Sequence, residues 1–424
     1  MDLCRSRPRA HCPRAGGRRG AQPPGLAAPG LPRAGRGALR VTLLYLVAGE
    51  ASGDMLGARL MAALRRRRPG LTFAGVGGER MAEQGFHSLF PMRELALMGL
   101  LEVLPNLRRL ARRLDETASD IAARRPALVV TIDSPGFTLR VAKRAKAQGF
   151  RVAHYVAPQV WAWRPGRVRR IAREVDRILA LLPFEAPFFE RAGIPVSFVG
   201  HSILESGADR GEAARFRAAH GLRPEERVLL VMPGSRRSEV GRLLPVFGEA
   251  LARLSARVPN LRPVVPLAGP VEEAVREAAA RWHPAPILLR GVVEKYDAYA
   301  AARENGAGLI KSGTSSLEVA LAGVPMVVGY RVNPLTAAIV RRLIKVRFVS
   351  IVNLLADAPV IPEFLQERCT PALLAEALEE LLTRPGPVAT QRAGFERVMN
   401  RLRPPQGLPS EAAAEAVLAM LDEG

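Results

Sequence analysis

The amino-acid sequence predicts an α/β protein made of two doubly wound, Rossmann-like domains facing each other across a cleft. Three observations carry that prediction. Short apolar runs alternate with longer segments of helical period, the pattern of βαβ units around a parallel sheet. The alternation occurs twice, from Val41 and again from about Val228, on either side of a Pro/Gly-marked stretch at 200–226. The chain of 424 residues is long enough for two or three domains, each with its own core.

In the first series the runs 41–48, 127–132, 152–156, 178–182 and 196–199 read as strands. Segments such as 54–67, 93–124 and 138–148 read as the helices between them. In the second series the strands are 228–232, 263–267, 286–289, 307–310 and 326–330, again alternating with helices. A last apolar helix, 411–422, follows a Pro-Pro-Gln-Gly break at 404–407. The expected division is a basic, disordered extension over 1–38, an N-terminal domain over 39–205, a C-terminal domain over 206–385, and C-terminal helices over 386–424 that pack back toward the N-terminal domain.

Composition narrows the function. Apolar residues make up 48% and charged residues 24%, the balance of a folded chain. The longest apolar stretch, Val319 to Tyr330, reads as a helix end followed by a strand, short of the ~18 residues a membrane-spanning helix needs. The net charge of +22 favours anionic partners: phosphates, acidic lipid surfaces or nucleic acid. Nine of the first 40 residues are Arg against one acid, so this stretch alone carries +8 of that charge. It lacks the apolar core of a signal peptide and the serines of a transit peptide. Cys4, Cys12 and Cys369 form neither a disulfide framework nor a metal-ligand spacing, Cys369 reads as an inert interior thiol, and the expected compartment is the cytosol.

In open parallel sheets, ligands bind where strand carboxyl ends meet loops and helix N-termini. The first strand runs into Gly49-Glu50-Ala51-Ser52-Gly53-Asp54 and a helix, where free amides and the helix dipole suit an anion. Ser52 and Asp54 there read equally as capping residues. Asp133-Ser134-Pro135-Gly136 follows the strand 127–132. A carboxylate at that rim suits a general base, or it simply initiates the turn before Pro135. The loop from Pro158 to Arg164 holds Trp161 and Trp163, either ordinary packing or a wall over an amphipathic ligand with Arg164 and Arg167 reaching its phosphate. His154 and His201 lack metal-ligand partners and read as structural.

In the second half, Pro233-Gly234-Ser235-Arg236 opens a helix, placing a guanidinium beside free amides, a combination suited to a diphosphate. Lys311-Ser312-Gly313-Thr314 follows the strand 307–310, and Glu318 shares a helix face with Thr314, placed to accept from both hydroxyls of a ribose. No Asp-x-Asp pair occurs, which argues against a metal-bridged nucleotide. The segment Met92 to Leu114 joins an apolar portion (Leu95, Leu97, Met98, Leu100, Leu101, Val103, Leu104) to an Arg-rich one (Arg108, Arg109, Arg112, Arg113). It suits either a membrane interface or a helix packed on its own domain.

These motifs resemble those of the lipid-A-disaccharide synthase family. The resemblance rests on Val47 to Asp54, Ile132 to Pro135, His154 to Trp163, Pro233 to Arg236, Ser312-Gly313-Thr314 with Glu318, and Met326 to Tyr330 with Asn353, in order from about residue 41 to 422. It implies a GT-B glycosyltransferase, inverting and metal-independent. Such an enzyme joins UDP-2,3-diacylglucosamine to 2,3-diacylglucosamine 1-phosphate, releasing UDP and the β-1,6-linked disaccharide. By the same resemblance Asp133 is the catalytic base. Arg236, Ser312, Gly313, Thr314, Glu318 and Asn353 hold the UDP-sugar; Ser52, Gly53, Asp54, Trp161, Trp163 and Arg164 face the acceptor. Leu97, Met98, Leu100, Leu101, Val103, Leu104, Arg108 and Arg109 meet acyl chains or membrane. No cofactor, metal or nucleic acid is implied. A peripheral position on the cytoplasmic face of the inner membrane is, and a homodimer is compatible with the resemblance.

Three positions depart from the family pattern: Gly136 where a second Asp is common, Ser202 where Pro or Thr is common, and Lys311 where a small residue is usual. Two other readings fit parts of the chain. One is a UDP-N-acetylglucosamine 2-epimerase of the same architecture. The other is a basic membrane- or RNA-binding protein, weakened by the dispersal of the arginines and by the absence of a nucleic-acid motif at 152–163.

Overall fold

The computed structural model describes residues 42–95, 100–162, 165–333 and 347–423, with main chain alone at 100–107, 161–162 and 165. The N-terminal sheet has six parallel strands: β1 (Thr42–Ala48), β2 (Leu71–Val76), β3 (Leu128–Ile132), β4 (Val152–Tyr155), β5 (Arg177–Ala180) and β6 (Val196–Phe198). The C-terminal sheet has six more: β7 (Arg227–Met232), β8 (Leu261–Pro266), β9 (Ile287–Leu289), β10 (Ala307–Lys311), β11 (Met326–Tyr330) and β12 (Glu363–Leu365). The orders are β2-β1-β3-β4-β5-β6 and β12-β11-β10-β7-β8-β9. Both sheets are wound in two directions from their first strand, so each has a switch point, between β1 and β3 and between β7 and β10.

Burial on both faces explains why the strands read as continuous apolar runs. In β1, Leu44, Leu46 and Ala48 enter one core while Tyr45 and Val47 enter another. In β7, Val228 and Leu230 face one way and Leu229 and Val231 the other. The first of these cores is continuous through the molecule. It holds Leu46 and Val130 from one sheet, Leu230 and Ile310 from the other, and Phe395, Val398, Ala413 and Val417 from the two last helices.

β2 and β12 lie beyond the runs recognisable in the sequence. Each is an edge strand, and β2 carries an interior glycine at φ +128° while β12 is three residues long. The stretch 200–226 is likewise more than a linker, holding a 3₁₀ turn (Ser202–Glu205) and a helix (Ala213–Ala219).

The chain crosses between the sheets at Gly200, whose φ is +77° and where an added Cβ would lie 2.9 Å from the Leu402 carbonyl oxygen. A side chain is therefore excluded twice, by backbone conformation and by contact. The His201 amide donates to that same carbonyl at 3.0 Å. Arg59 donates to the carbonyls of Ser202 and Glu205, both at 2.9 Å, and Glu205 accepts from the amide and hydroxyl of Ser410. Ser202 thus lends only its carbonyl to this joint. The last helix (Pro409–Asp422) lies against the first (Ala51–Arg67), with Arg68 on Asp422 at 2.7 Å and Arg177 on Glu423 at 3.0 Å. Among the described residues no helix is long and apolar enough to cross a membrane.

Candidate active site

The N-terminal half of the site grows from the ends of β1 and β3, which stop level because Ala48 pairs with Ile132. Asp133 and Ser134 then take φ +52° and +44°, a left-handed pair that turns the chain sharply into the helix Pro135–Ala147. Such backbone costs roughly 1–3 kcal/mol per residue and persists only where the surroundings enforce it. Here the Asp133 amide donates to Tyr155 O at 2.9 Å, and Thr138 Oγ1 donates to the Asp133 and Ser134 carbonyls at 2.5 and 3.0 Å. The segment entering the first helix, and the helix's own first turn, press on the turn from the other side. A Cβ on Gly49 would lie 2.8 Å from Ser134, and one on Gly53 would lie 3.0 Å from Ile132 O.

This packing orients the Asp133 carboxylate. Oδ1 accepts from the Ser134 amide at 2.8 Å and Oδ2 from the Ser52 hydroxyl at 2.5 Å. A carboxylate offers about four lone-pair sites, so acceptor capacity remains. Asp133 opens on a cavity of about 500 Å³ whose wall includes Leu139, Val160, Ile171, Arg140 and Arg167. Arg170 is there too, paired with Glu174 at 2.9 Å.

The C-terminal half forms where β7 and β10 end side by side, Met232 pairing with Ile310. Arg236, Lys311, Gly313, Thr314 and Glu318 line a second cavity of about 640 Å³. Glu318 is gripped from three sides. Lys295 Nζ approaches its two oxygens at 3.1 and 3.0 Å, and the hydroxyls of Tyr296 and Tyr299 donate at 3.2 Å each. Burial first, then the adjacent Glu318, pushes Tyr296 up to about 12, and the same causes raise Tyr299, so both phenols stay protonated and donate. Gln159 lines both cavities, which therefore adjoin. Among the described residues no group of three His, Cys, Asp or Glu is placed to hold a metal.

A carboxylate at the rim of one sheet thus adjoins a cavity lined by cations, a hydroxyl and a second carboxylate at the rim of the other, and sequence relationship narrows what such a pair can do. The family model for lipid-A-disaccharide synthetase matches residues 44–417. The chain belongs to the lipid-A-disaccharide synthase family. The lipid-A-disaccharide synthase of Granulibacter bethesdensis is 50% identical to it over 392 residues, 90% of this chain and 99% of that one. Among solved structures, a UDP-GlcNAc 2-epimerase from Neisseria meningitidis bound to UDP-GlcNAc superposes with a TM-score of 0.62 at 14% identity, covering 90% of this chain and 100% of that chain. A calicheamicin glycosyltransferase superposes at 0.56 and 18% identity, covering 91% and 99%. These two show the fold, the GT-B architecture; the family places the chain among the glycosyltransferases of lipid A biosynthesis and sets the epimerase reading aside.

For a lipid-A-disaccharide synthase, several residues sit otherwise than the motifs suggested. Asp54 does not face a ligand. It is 4% exposed, and its carboxylate accepts from the amides of Gly78, Arg80 and Met81 at 2.8, 2.9 and 3.1 Å, capping the turn Glu79–Ala82. Asn353 is buried, its amide bonded to Ile361 and Glu363, so it shapes the segment behind the second cavity without entering it. Ser312 turns its hydroxyl onto Val349 O at 3.0 Å and anchors that loop. Ser52 is exposed, and its hydroxyl donates to the Asp133 carboxylate. A side chain at Gly136 would meet nothing within 4 Å, so this wall of the first cavity has room for one.

Leu97, Met98, Trp163 and Arg164 lie outside the described residues, as do the side chains of Leu100, Leu101, Val103, Leu104 and Trp161. Of the flanking segment, Leu95 and Leu114 are buried in the N-terminal core. Arg113 is committed to Glu94 at 2.8 Å and to Glu116, with its guanidinium over Phe90. Arg108 is exposed and Arg109 half-buried.

His154 is fully buried with Nδ1 2.8 Å from Thr131 Oγ1, and His201 Nδ1 accepts from the Ile203 amide at 3.0 Å. Burial pulls each down to about 4. Cys369 is a buried thiol raised by burial. Sequence reasoning missed Lys295, Tyr296 and Tyr299, the neighbours of Glu318. Their spacing on the helix Val292–Asn305 places Lys295 and Tyr299 one turn apart, and a polar pair at that spacing is the available signal.

Proposed function

We propose that this chain transfers 2,3-diacylglucosamine from its UDP derivative to 2,3-diacylglucosamine 1-phosphate, with Asp133 as general base. The observation that carries the reading is the adjoining of two unlike cavities at Gln159, one opening on Asp133 and the other lined by Arg236, Gly313, Thr314 and Glu318. The UDP diphosphate takes the Arg236 and Gly313–Thr314 side, with Glu318 at the ribose. The phosphorylated acceptor takes the Asp133 side, where Arg167 answers its phosphate and Leu139, Val160 and Ile171 supply apolar wall.

In the reaction the acceptor's 6-hydroxyl oxygen bonds to the anomeric carbon while Asp133 takes its proton. The bond from that carbon to the diphosphate oxygen breaks, its electron pair leaves with UDP, and attack from the opposite face inverts the centre. Charge on the departing diphosphate is met by fixed cations and amides and not by a divalent ion. The enzyme works at the cytoplasmic face of the inner membrane, where its acylated substrates reside.

The test is Asp133→Asn. Disaccharide formation falls at least ~10³-fold, the upper range for removing a general base, while UDP affinity is retained. Wild-type turnover persists in EDTA. Retained turnover in D133N, or strong inhibition by the chelator, overturns the corresponding step.

A further inference from the structure

Lys311 stands at the end of β10, inside the second cavity. Its ammonium lies 3.1 Å from Glu239 Oε1, and the Arg236 guanidinium lies 3.3 Å from the same oxygen. One carboxylate oxygen therefore serves two cations. Glu239 is 8% exposed at its side chain and sits in the first turn of the helix Arg237–Ser255, where the helix dipole favours negative charge. The lysine stem runs between the two glycine turns of the site. A Cβ on Gly234 would be 3.5 Å from Lys311 Cδ, and one on Gly313 would be 3.3 Å from its Nζ. The ammonium also lies 5.4 Å from the centre of the Tyr330 ring, a polarisable wall on another side.

We propose that Lys311 is a diphosphate-binding residue of this chain. Glu239 holds it and Arg236 at the mouth of the two turns, so that their charge faces the leaving group of the donor. The proposal rests on the reading of this cavity as the UDP site and adds to it a residue that no motif supplied. Two cations on one acid leave an excess positive charge, which a diphosphate balances with oxygens to spare for both. Lysine suits the task as a point charge, while Arg236 supplies directional donors. A purely structural ion pair has the same two partners, so the experiment separates stability from ligand binding.

Calorimetric affinities for UDP and for uridine are measured on wild type, Lys311→Gln and Lys311→Arg, each checked by thermal melting. K311Q keeps a donor for Glu239, and Arg236 still neutralises that acid, so the buried carboxylate is not orphaned. K311Q is expected to weaken UDP about tenfold or more, the usual effect of deleting a charge-assisted hydrogen bond, and to leave uridine unchanged. K311R is expected to bind UDP within about threefold of wild type, since the positive charge stays. Magnesium is expected to restore part of the K311Q loss and to leave wild type unaffected. Equal losses for UDP and uridine, or a melting shift with unchanged UDP affinity, overturn the role of Lys311. Failure of the wild-type protein to bind UDP at all overturns the reading of the cavity instead.

Discussion

The two switch points of this molecule share a topology and carry opposite chemistry. In each, two parallel strands end level and release a glycine-containing turn beside a helix N-terminus. On the N-terminal side the rim carries an acid, Asp133, oriented by a hydroxyl and a backbone amide. On the C-terminal side the rim carries cations, Arg236 and Lys311, and an acid, Glu239, pairs with both. The comparison teaches that the winding of the sheet supplies a rim and free amides, while a handful of loop residues decides what the rim does. It also explains how an epimerase at 14% identity shares the fold with a family of glycosyltransferases.

Protonation sharpens the contrast. The two fully or nearly buried histidines whose proton affinity is depressed both belong to the N-terminal side, His154 beside the Asp133 strand and His201 at the crossing. An unfolded histidine takes up its proton near pH 6.5, whereas these remain neutral until about 4. The unfolded state thus binds more protons through that window, and the stability they allow above pH 6.5 is lost as pH falls toward 4. The loss is about 2 kcal/mol per histidine between pH 7 and 5, about 4 for the pair. Urea midpoints of wild type and the double variant H154N/H201N across that range measure it. A pH slope unchanged in the double variant removes the histidines from the account.

Asp54 separates scaffold from chemistry within the N-terminal rim. Asp54→Ala leaves three amides near the β2 end without their acceptor, at an expected cost of about 3 kcal/mol. The folded fraction is expected to keep its kcat. A kcat loss far exceeding the unfolded fraction, measured by activity against a denaturation curve on the same sample, returns Asp54 to the catalytic face.

Asp54 also shows why part of the site was illegible in the sequence. Asp133, Arg236, Thr314 and Glu318 could be found because each follows an apolar run whose burial on both faces marks it as a strand. Ser52 and Asp54 are two residues apart on one helix, so they point to different sides, and telling them apart requires knowing what lies on each. Asp54's partners, 78–81, follow β2, an edge strand whose run Leu71–Val76 is broken by Thr72 and by Gly75 at φ +128° and so does not stand out as a continuous apolar stretch. Asn353 and Ser312 were misplaced for a related reason, since Val349 and Ile361 lie in irregular segments and Glu363 opens the three-residue edge strand β12, whose return to the sheet no local pattern announces. The grip of Lys295, Tyr296 and Tyr299 on Glu318 joins two helices about 20 positions apart and is visible only in three dimensions.

The smallest expected effect tests the orienting device itself. Ser52 is exposed at the start of its helix, yet its hydroxyl donates to Asp133 Oδ2 at 2.5 Å, which makes it a positioning residue. Removing a hydrogen bond to a charged acceptor costs about 1.5 kcal/mol, so Ser52→Ala should lower kcat about tenfold. The donor KM and UDP affinity should not change, because the second cavity forms from other strands. Ser52→Thr keeps the hydroxyl and should recover most of the rate. A merely structural role predicts instead a lower melting temperature with kcat intact. If S52A raises the donor KM and leaves kcat alone, the division of labour between an acid rim and a cationic rim is wrong, because a residue of the first would be acting on the ligand of the second.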